Sequence, residues 1–152
     1  MLKKIFFIIL LFNLFNHCEY RPVYSNQNKI DYKIIITNFS GDKGINNLIK
    51  RNIDRKSKKN SNQIVSISFD TKYTKNILAK NTTGAITDYQ INVDTIFLIE
   101  NENNAKSFTI NEKFNFKKMS DKYEEKNYEQ NIKRNLASSI SQKLILRLAV
   151  FE

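Results

Sequence analysis

The sequence predicts an α+β fold, a two-layer sandwich in which two helices pack on one face of a four-stranded sheet. The predicted element order is β-α-β-β-β-α. The hydrophobic pattern repeats every second residue in three segments between residues 63 and 116, and at helical spacing in two segments outside them. Strict alternation gives a strand one buried and one solvated face, so both helices are expected on the same side of the sheet.

The first strand and the first helix are predicted between residues 32 and 59. Ile34-Ile35-Ile36 marks a strand, Gly41 breaks it, and Asp42 is a helix N-cap candidate. Apolar residues at helical spacing follow, namely Ile45, Leu48, Ile49 and Ile53. The basic run at residues 55–59 suits the negative end of this helix, an interpretation we prefer to a nucleic-acid patch.

Three alternating strands and a long helix complete the domain. Their apolar register contains Val65, Ile67, Phe69, Thr71 and Tyr73, then Tyr89, Ile91, Val93, Thr95, Phe97 and Ile99, then Phe108, Ile110, Phe114 and Phe116, with Glu112 interrupting the last strand. A longer turn is expected from Lys75 to Gly84, and the polar residues 100–104 predict a hairpin. Ser120 is expected to cap the closing helix, whose apolar stripe is Ile132, Leu136, Ile140, Leu144 and Leu148. Strands of this length predict an elongated body.

The N-terminus has the layout of a secretory signal peptide over residues 1–17. Lys3 and Lys4 precede an apolar run that is too short to span a bilayer, which needs about 20 residues. Cys18 directly follows, in the position where bacterial lipoproteins attach diacylglycerol, although His17 stands where that signal usually has a small residue. We therefore expect lipid attachment at Cys18, an extended tether over residues 18–31 and a single domain over residues 32–152.

Composition favours binding over catalysis. The formal net charge is +10, and loss of Lys3 and Lys4 with the signal peptide lowers it to +8, which suits anionic partners unless it merely reflects coding bias. With one Cys and one His, the chain offers no Cys–His dyad and no Cys/His metal set. Asp88 and Asp94 share a strand face, but no nucleophile or metal ligand accompanies them. We expect no catalytic residue, no metal, no cofactor and no enzymatic activity.

Three segments of the chain resemble motifs of one family of bacterial lipoproteins. Cys18 is followed by Glu19-Tyr20-Arg21-Pro22-Val23-Tyr24, which is similar to that family's Cys-Gly-aromatic-Arg-Pro-Leu-Tyr start. Thr87-Asp88-Tyr89-Gln90-Ile91-Asn92-Val93 resembles its third strand, with Asp88 where a basic residue is common. Tyr123 and Tyr128, leading into Asn135-Leu136-Ala137 and the stripe Ile140, Leu144 and Leu148, resemble its closing helix. The chain thus resembles the lipopolysaccharide-assembly lipoproteins, the LptE-like family, in its alphaproteobacterial form.

The resemblance implies an outer-membrane lipoprotein on the periplasmic face. Such a protein plugs the LptD β-barrel, helps it to assemble and assists the transport of lipopolysaccharide to the cell surface. Its expected partners are an LptD-like barrel, lipopolysaccharide through lipid A, and the outer membrane through the lipid anchor. If the protein handles lipopolysaccharide, we expect the lipid A headgroup to contact Lys72, Lys75, Lys80 and Lys113, which lie in the polar register or beside the long turn.

Two other functions remain as alternatives. An accessory periplasmic lipoprotein of an ABC-type lipid transporter would share the fold and the anchor, and its purified partner would distinguish it. A basic RNA-binding module would place aromatic residues on the exposed sheet face, where they stack on bases. Here the aromatic residues fall on the apolar register, so we expect no nucleic-acid partner.

Overall fold

The computed structural model describes residues 32–102 and 104–150, and within them the predicted element order is confirmed. The signal peptide, Cys18 and the tether lie outside the described residues. The elements are β1 (Tyr32–Gly41), α1 (Lys43–Asp54), β2 (Gln63–Lys80), β3 (Ile86–Glu100), β4 (Ala105–Lys117) and α2 (Lys122–Leu148).

The four strands form one mixed sheet in the order β1-β2-β3-β4. β1 and β2 are parallel, because α1 provides the crossover that parallel neighbours require. β2, β3 and β4 form an antiparallel meander. We call the end where β1 and β2 begin the entry end, and the end with the β2–β3 turn the hairpin end. β2 has 18 residues, which corresponds to a length of about 55 Å.

The predicted side-chain register is confirmed along β2 and β3. The odd-numbered residues from Val65 to Thr71 and from Ile91 to Ile99 are buried against the helices. They pack with residues of α1 and α2 in one core, which includes Ile45, Ile49, Ile53, Ile132, Leu136, Ile140, Leu144 and Leu148. Among the described residues, this core extends from Ile34 to Leu148.

Three local predictions have different outcomes. Asp42 caps α1 as expected, with its carboxylate accepting a hydrogen bond from the Ile45 N–H at 2.8 Å. The prediction of Ser120 as the second cap is wrong, because Asp121 accepts from two backbone N–H groups of α2. The interruption at Glu112 has a physical reason: its carboxylate binds Ser139 at 2.6 Å and Lys143 at 2.7 Å, both on α2.

The long turn predicted from Lys75 to Gly84 is also wrong. β2 continues through Lys80, because each of its residues from Ser66 to Ile77 has a partner on β3, as do Ala79 and Lys80. The turn itself is short, and Asn81 organises it by accepting hydrogen bonds from the Thr83 and Ala85 N–H groups at 3.0 and 2.9 Å. An Asn side chain that bonds to the following backbone is a compact turn signal. Lys75 is therefore a strand residue.

Candidate functional site

The most distinctive surface of the domain is the sheet face that no helix covers, which we call the open face. It carries the even-numbered side chains of β2 and β3 and the side chains of β4 that align with them. Along the rows that contain Lys72 to Asn76 of β2 this face is polar, and the exposed Ile77 and Leu78 follow at an irregularity of the strand. Asp94 accepts a hydrogen bond from Asn111 at 2.6 Å, and Gln90 donates to Asn115 at 2.9 Å. These cross-strand pairs keep the surface ordered while leaving it available to a polar partner.

Lys72 and Lys113 lie on this polar part, and both are exposed. Lys72 is opposite Asp94, and Lys113 is opposite Asn92 in the next row of the sheet. The fold therefore brings these two lysines to the same face. Lys80, also exposed, is the last residue of β2 and lies further towards the turn. The four predicted lysines do not form one cluster.

Lys75 lies on the opposite side of the sheet, facing α2. Its ammonium group forms ion pairs with Glu125 at 2.9 Å and with Glu129 at 3.1 Å. It also lies 4.2 Å from the centroid of the Tyr89 ring, within the range of a cation–π contact. Its odd number places it in the buried register, so strand parity alone could have predicted this position. The expectation that Lys75 borders a turn is corrected, and its charge is already partnered.

The pKa values of Lys75, Glu125 and Glu129 are all shifted in the direction that favours the charged form. Burial lowers the pKa of Lys75, but hydrogen bonds to Glu125 and Glu129 outweigh burial and raise it above its usual value. The hydrogen bond from Lys75 holds the pKa of Glu125 below its usual range. Burial raises the pKa of Glu129, but the hydrogen bonds from Tyr73 and Lys75 outweigh burial and lower this pKa below its usual value. Burial raises the pKa of Tyr73, and the hydrogen bond to Glu129 raises it further. The phenol therefore stays protonated and donates to Glu129.

Lys75→Met is expected to lower the free energy of unfolding at neutral pH by about 1–3 kcal/mol, because it leaves two carboxylates without their cation. Folding lowers the pKa values of Glu129 and Glu125. This contribution to the free energy of unfolding is therefore fully present above about pH 4.3, the pKa of Glu in the unfolded chain, and is lost as the pH falls through their folded pKa values. Folding raises the pKa of Lys75. The contribution is therefore fully present below about pH 10.4, the pKa of Lys in the unfolded chain, and is lost as the pH rises through the folded pKa of Lys75. Urea titrations at several pH values measure the difference between the two proteins.

Lys72→Met is the matched control, since it removes an exposed lysine from the same strand on the open face. It should change stability by less than about 0.5 kcal/mol at any pH. A Lys75→Met penalty that is as large at pH 3 as at neutrality would contradict the charged network.

The open face is not polar throughout, which the sequence analysis missed. Towards the entry end it carries four large aliphatic side chains that are each between 37 and 50 % exposed, namely Ile35, Ile64, Ile96 and Leu98. Ile96 and Leu98 border a shallow depression with Asn38 and Ser68. The signal was available in the sequence, because the run Ile96-Phe97-Leu98-Ile99 is apolar on both sides of the strand. We call this surface the apolar patch.

Within the described ranges, no group of three or more His, Cys, Asp or Glu side chains is arranged to hold a metal ion. Among the same residues, neither helix is long and apolar enough to cross a membrane.

The fold is shared with bacterial lipoproteins of known structure. No protein-family model matches the chain, and no curated protein matches it in sequence. The structure is similar to the rare lipoprotein B from Shewanella oneidensis, with a TM-score of 0.51 and 14 % identity over 70 % of this chain and 92 % of that one.

Two further lipoproteins are similar to the same degree. A putative lipoprotein from Caulobacter crescentus has a TM-score of 0.51 and 9 % identity, covering 82 % of this chain and 91 % of that one. An uncharacterised lipoprotein B from Nitrosomonas europaea has a TM-score of 0.51 and 13 % identity, covering 81 % and 88 %. At these identities the similarity shows a common fold, and each neighbour is matched over most of its length.

Proposed function

We propose that this chain is an outer-membrane lipoprotein, anchored at Cys18 on the periplasmic face, that plugs an LptD-like β-barrel, helps it to assemble and assists lipopolysaccharide transport. The observation that carries the proposal is the long sheet with one uncovered face, in a fold that bacterial lipoproteins share. Such a surface acts by binding, and no step of catalysis is part of the proposal.

The dimensions and the polarity of the domain support a role as a plug. A wide barrel leaves a lumen that must be filled, and that lumen is polar. The sheet is long, and the domain consists of only this sheet and one layer of helices, so the body is slender. The hydrogen-bonded pairs Asp94–Asn111 and Gln90–Asn115 give the hairpin half of the open face a polar surface that suits such a wall.

The exposed lysines of this half are the proposed contacts for lipid A. Its phosphates are anionic, and lysine binds phosphate through point charges that salt screens. Lys72 and Lys113 share the open face, and Lys80 lies at the end of β2. Lys75 contributes less to this proposal than the other three, because Glu125 and Glu129 already neutralise it.

Photo-crosslinking in native membranes tests both the partner and the ligand. A crosslinking residue is placed at Lys72, at Lys113, or at the exposed Gln130 on the outer face of α2. A lumen surrounds its plug, so all three positions should capture the same outer-membrane barrel. Only the two open-face positions should also capture lipopolysaccharide.

The intact mass of the captured protein should show a diacylglycerol-modified Cys18 at its N-terminus, and an unmodified thiol would contradict the anchor.

The apolar patch favours the alternative, an accessory lipoprotein of an ABC-type lipid transporter. Ile35, Ile64, Ile96 and Leu98 suit an apolar protein surface better than a polar lumen wall. One-sided docking predicts that the open-face positions capture a transporter subunit while Gln130 captures nothing. That outcome would replace the barrel proposal with the alternative.

A further inference from the structure

A basic loop is fixed beside the point where the chain enters the domain. The loop begins after α1 ends at Asp54. Ser57 accepts a hydrogen bond from the Ile34 N–H at 2.8 Å, and the Lys58 N–H donates to the Tyr32 carbonyl at 3.1 Å. These bonds hold the loop against the first residues of β1. The chain therefore enters the described domain beside this loop.

Exposed cations surround this position, and we call four of them the basic patch, namely Arg51, Arg55, Lys56 and Lys59. In the part of the chain that the structure describes, none of the four forms an ion pair. The nearby Lys50 differs, because Asp54 neutralises it at 2.8 Å. Arg51 lies in the last turn of α1 and Arg55 is its C-cap, so both suit the negative end of the helix, whereas Lys59 lies beyond that turn. Their clustering makes this surface positive.

The same end of the domain also exposes aliphatic side chains. Arg55 and Lys56 stand at the rim of a groove of about 430 Å³ between the helices, and Ile145 and Leu146 line its other side. Leu146 is 52 % exposed, and Val150, one turn later, is 78 % exposed. Cations beside exposed aliphatic groups are the composition of a surface that lies on a bilayer, where both the headgroups and the upper acyl region are within reach.

We propose that the basic patch docks on anionic phospholipid headgroups of the leaflet that holds the lipid anchor. This inference rests on the proposed anchor at Cys18 and not on the barrel. The segment between Cys18 and Tyr32 spans at most about 50 Å, and it reaches the domain at the entry end, beside the basic loop. Docking at this end leaves the hairpin end, with Lys80, free to contact a partner. The anchor and the patch together then set the orientation of the domain.

Co-sedimentation with vesicles tests the proposal on the chain from residue 18 onwards carrying Cys18→Ser, which removes the anchor. The chain should bind vesicles of phosphatidylcholine mixed with phosphatidylglycerol, and should bind pure phosphatidylcholine weakly. Replacing Arg51, Arg55, Lys56 and Lys59 together by Gln should weaken binding to the anionic vesicles by about tenfold or more. High salt should weaken the binding of the parent chain to the same degree.

The matched control replaces Lys117, Lys118, Lys122 and Lys126 by Gln, which removes the same charge from exposed positions at the hairpin end. This control should bind within about threefold of the parent chain, and both variants should retain the parent's urea midpoint.

Equal losses in the two variants would reduce the effect to net charge and overturn the proposal. Unchanged binding in the first variant would also overturn it. Binding that requires lipid A and fails on phosphatidylglycerol would reassign the patch to the transported lipid. Barrel capture by crosslinking is independent of all these outcomes.

Discussion

Phe97→Ala is expected to lower the free energy of unfolding by about 3–5 kcal/mol. The ring is fully buried near the C-terminal end of β3, with the Phe69 ring 5.4 Å away on β2 and the Phe108 ring 5.8 Å away on β4. Truncation removes the contacts that join three strands to one another and leaves a cavity that surrounding strands cannot easily close. Urea titration should show a lower midpoint with an unchanged dependence on denaturant.

Ile96→Ala provides the matched control for this prediction. Ile96 precedes Phe97 on the same strand, but its side chain is on the open face and is 50 % exposed. Its truncation should cost less than about 1 kcal/mol. Comparable losses for the two variants would mean that the assignment of buried and open faces is wrong. The result also matters for function, because a well-tolerated Ile96→Ala permits the apolar patch to be tested by partner binding in a folded protein.

Gly41→Ala is expected to destabilise the domain by about 2–5 kcal/mol. Gly41 has a φ of 91°, which an L-residue adopts at a cost, and an added methyl group would overlap the Thr71 carbonyl oxygen. That oxygen accepts the Asp42 N–H at 2.9 Å, and Asp42 in turn caps α1. Relief of the overlap would have to move the junction between β1 and α1 away from β2.

Gly84→Ala separates the two contributions. Gly84 has a similar φ of 81°, but no atom lies within 4 Å of an added methyl group. Its substitution should therefore cost only the conformational strain, about 1–2 kcal/mol. Thermal or urea unfolding of both variants gives the comparison. Equal costs would show that the close approach of Gly41 to Thr71 does not exist in solution.

The two proposals concern opposite ends of the sheet. The basic patch lies at the entry end and would contact the leaflet, while the polar half of the open face lies towards the hairpin end and would contact the partner. Because β2 alone is about 55 Å long, these two surfaces are well separated, and each can be altered without changing the other. The crosslinking and vesicle experiments consequently test independent statements.

The sequence by itself determined the element order, the domain's single core and the face to which each strand residue points. Alternation is local, because successive strand residues point to opposite sides whatever the strand pairs with. This is why the odd-numbered residues from Val65 to Thr71 are buried as predicted. The cap at Asp42 was also predictable, since a cap bonds to the residues directly after it.

Only the tertiary structure decided which residues meet across elements. Lys75 and Glu129 are 54 positions apart, and they meet because α2 crosses the buried side of β2. The parallel pairing of β1 with β2, the basic patch near Tyr32 and the apolar patch on the open face depend equally on where distant segments pack. Periodicity fixes the direction of a side chain, but the neighbour that it finds there is set by the free energy of packing the whole chain.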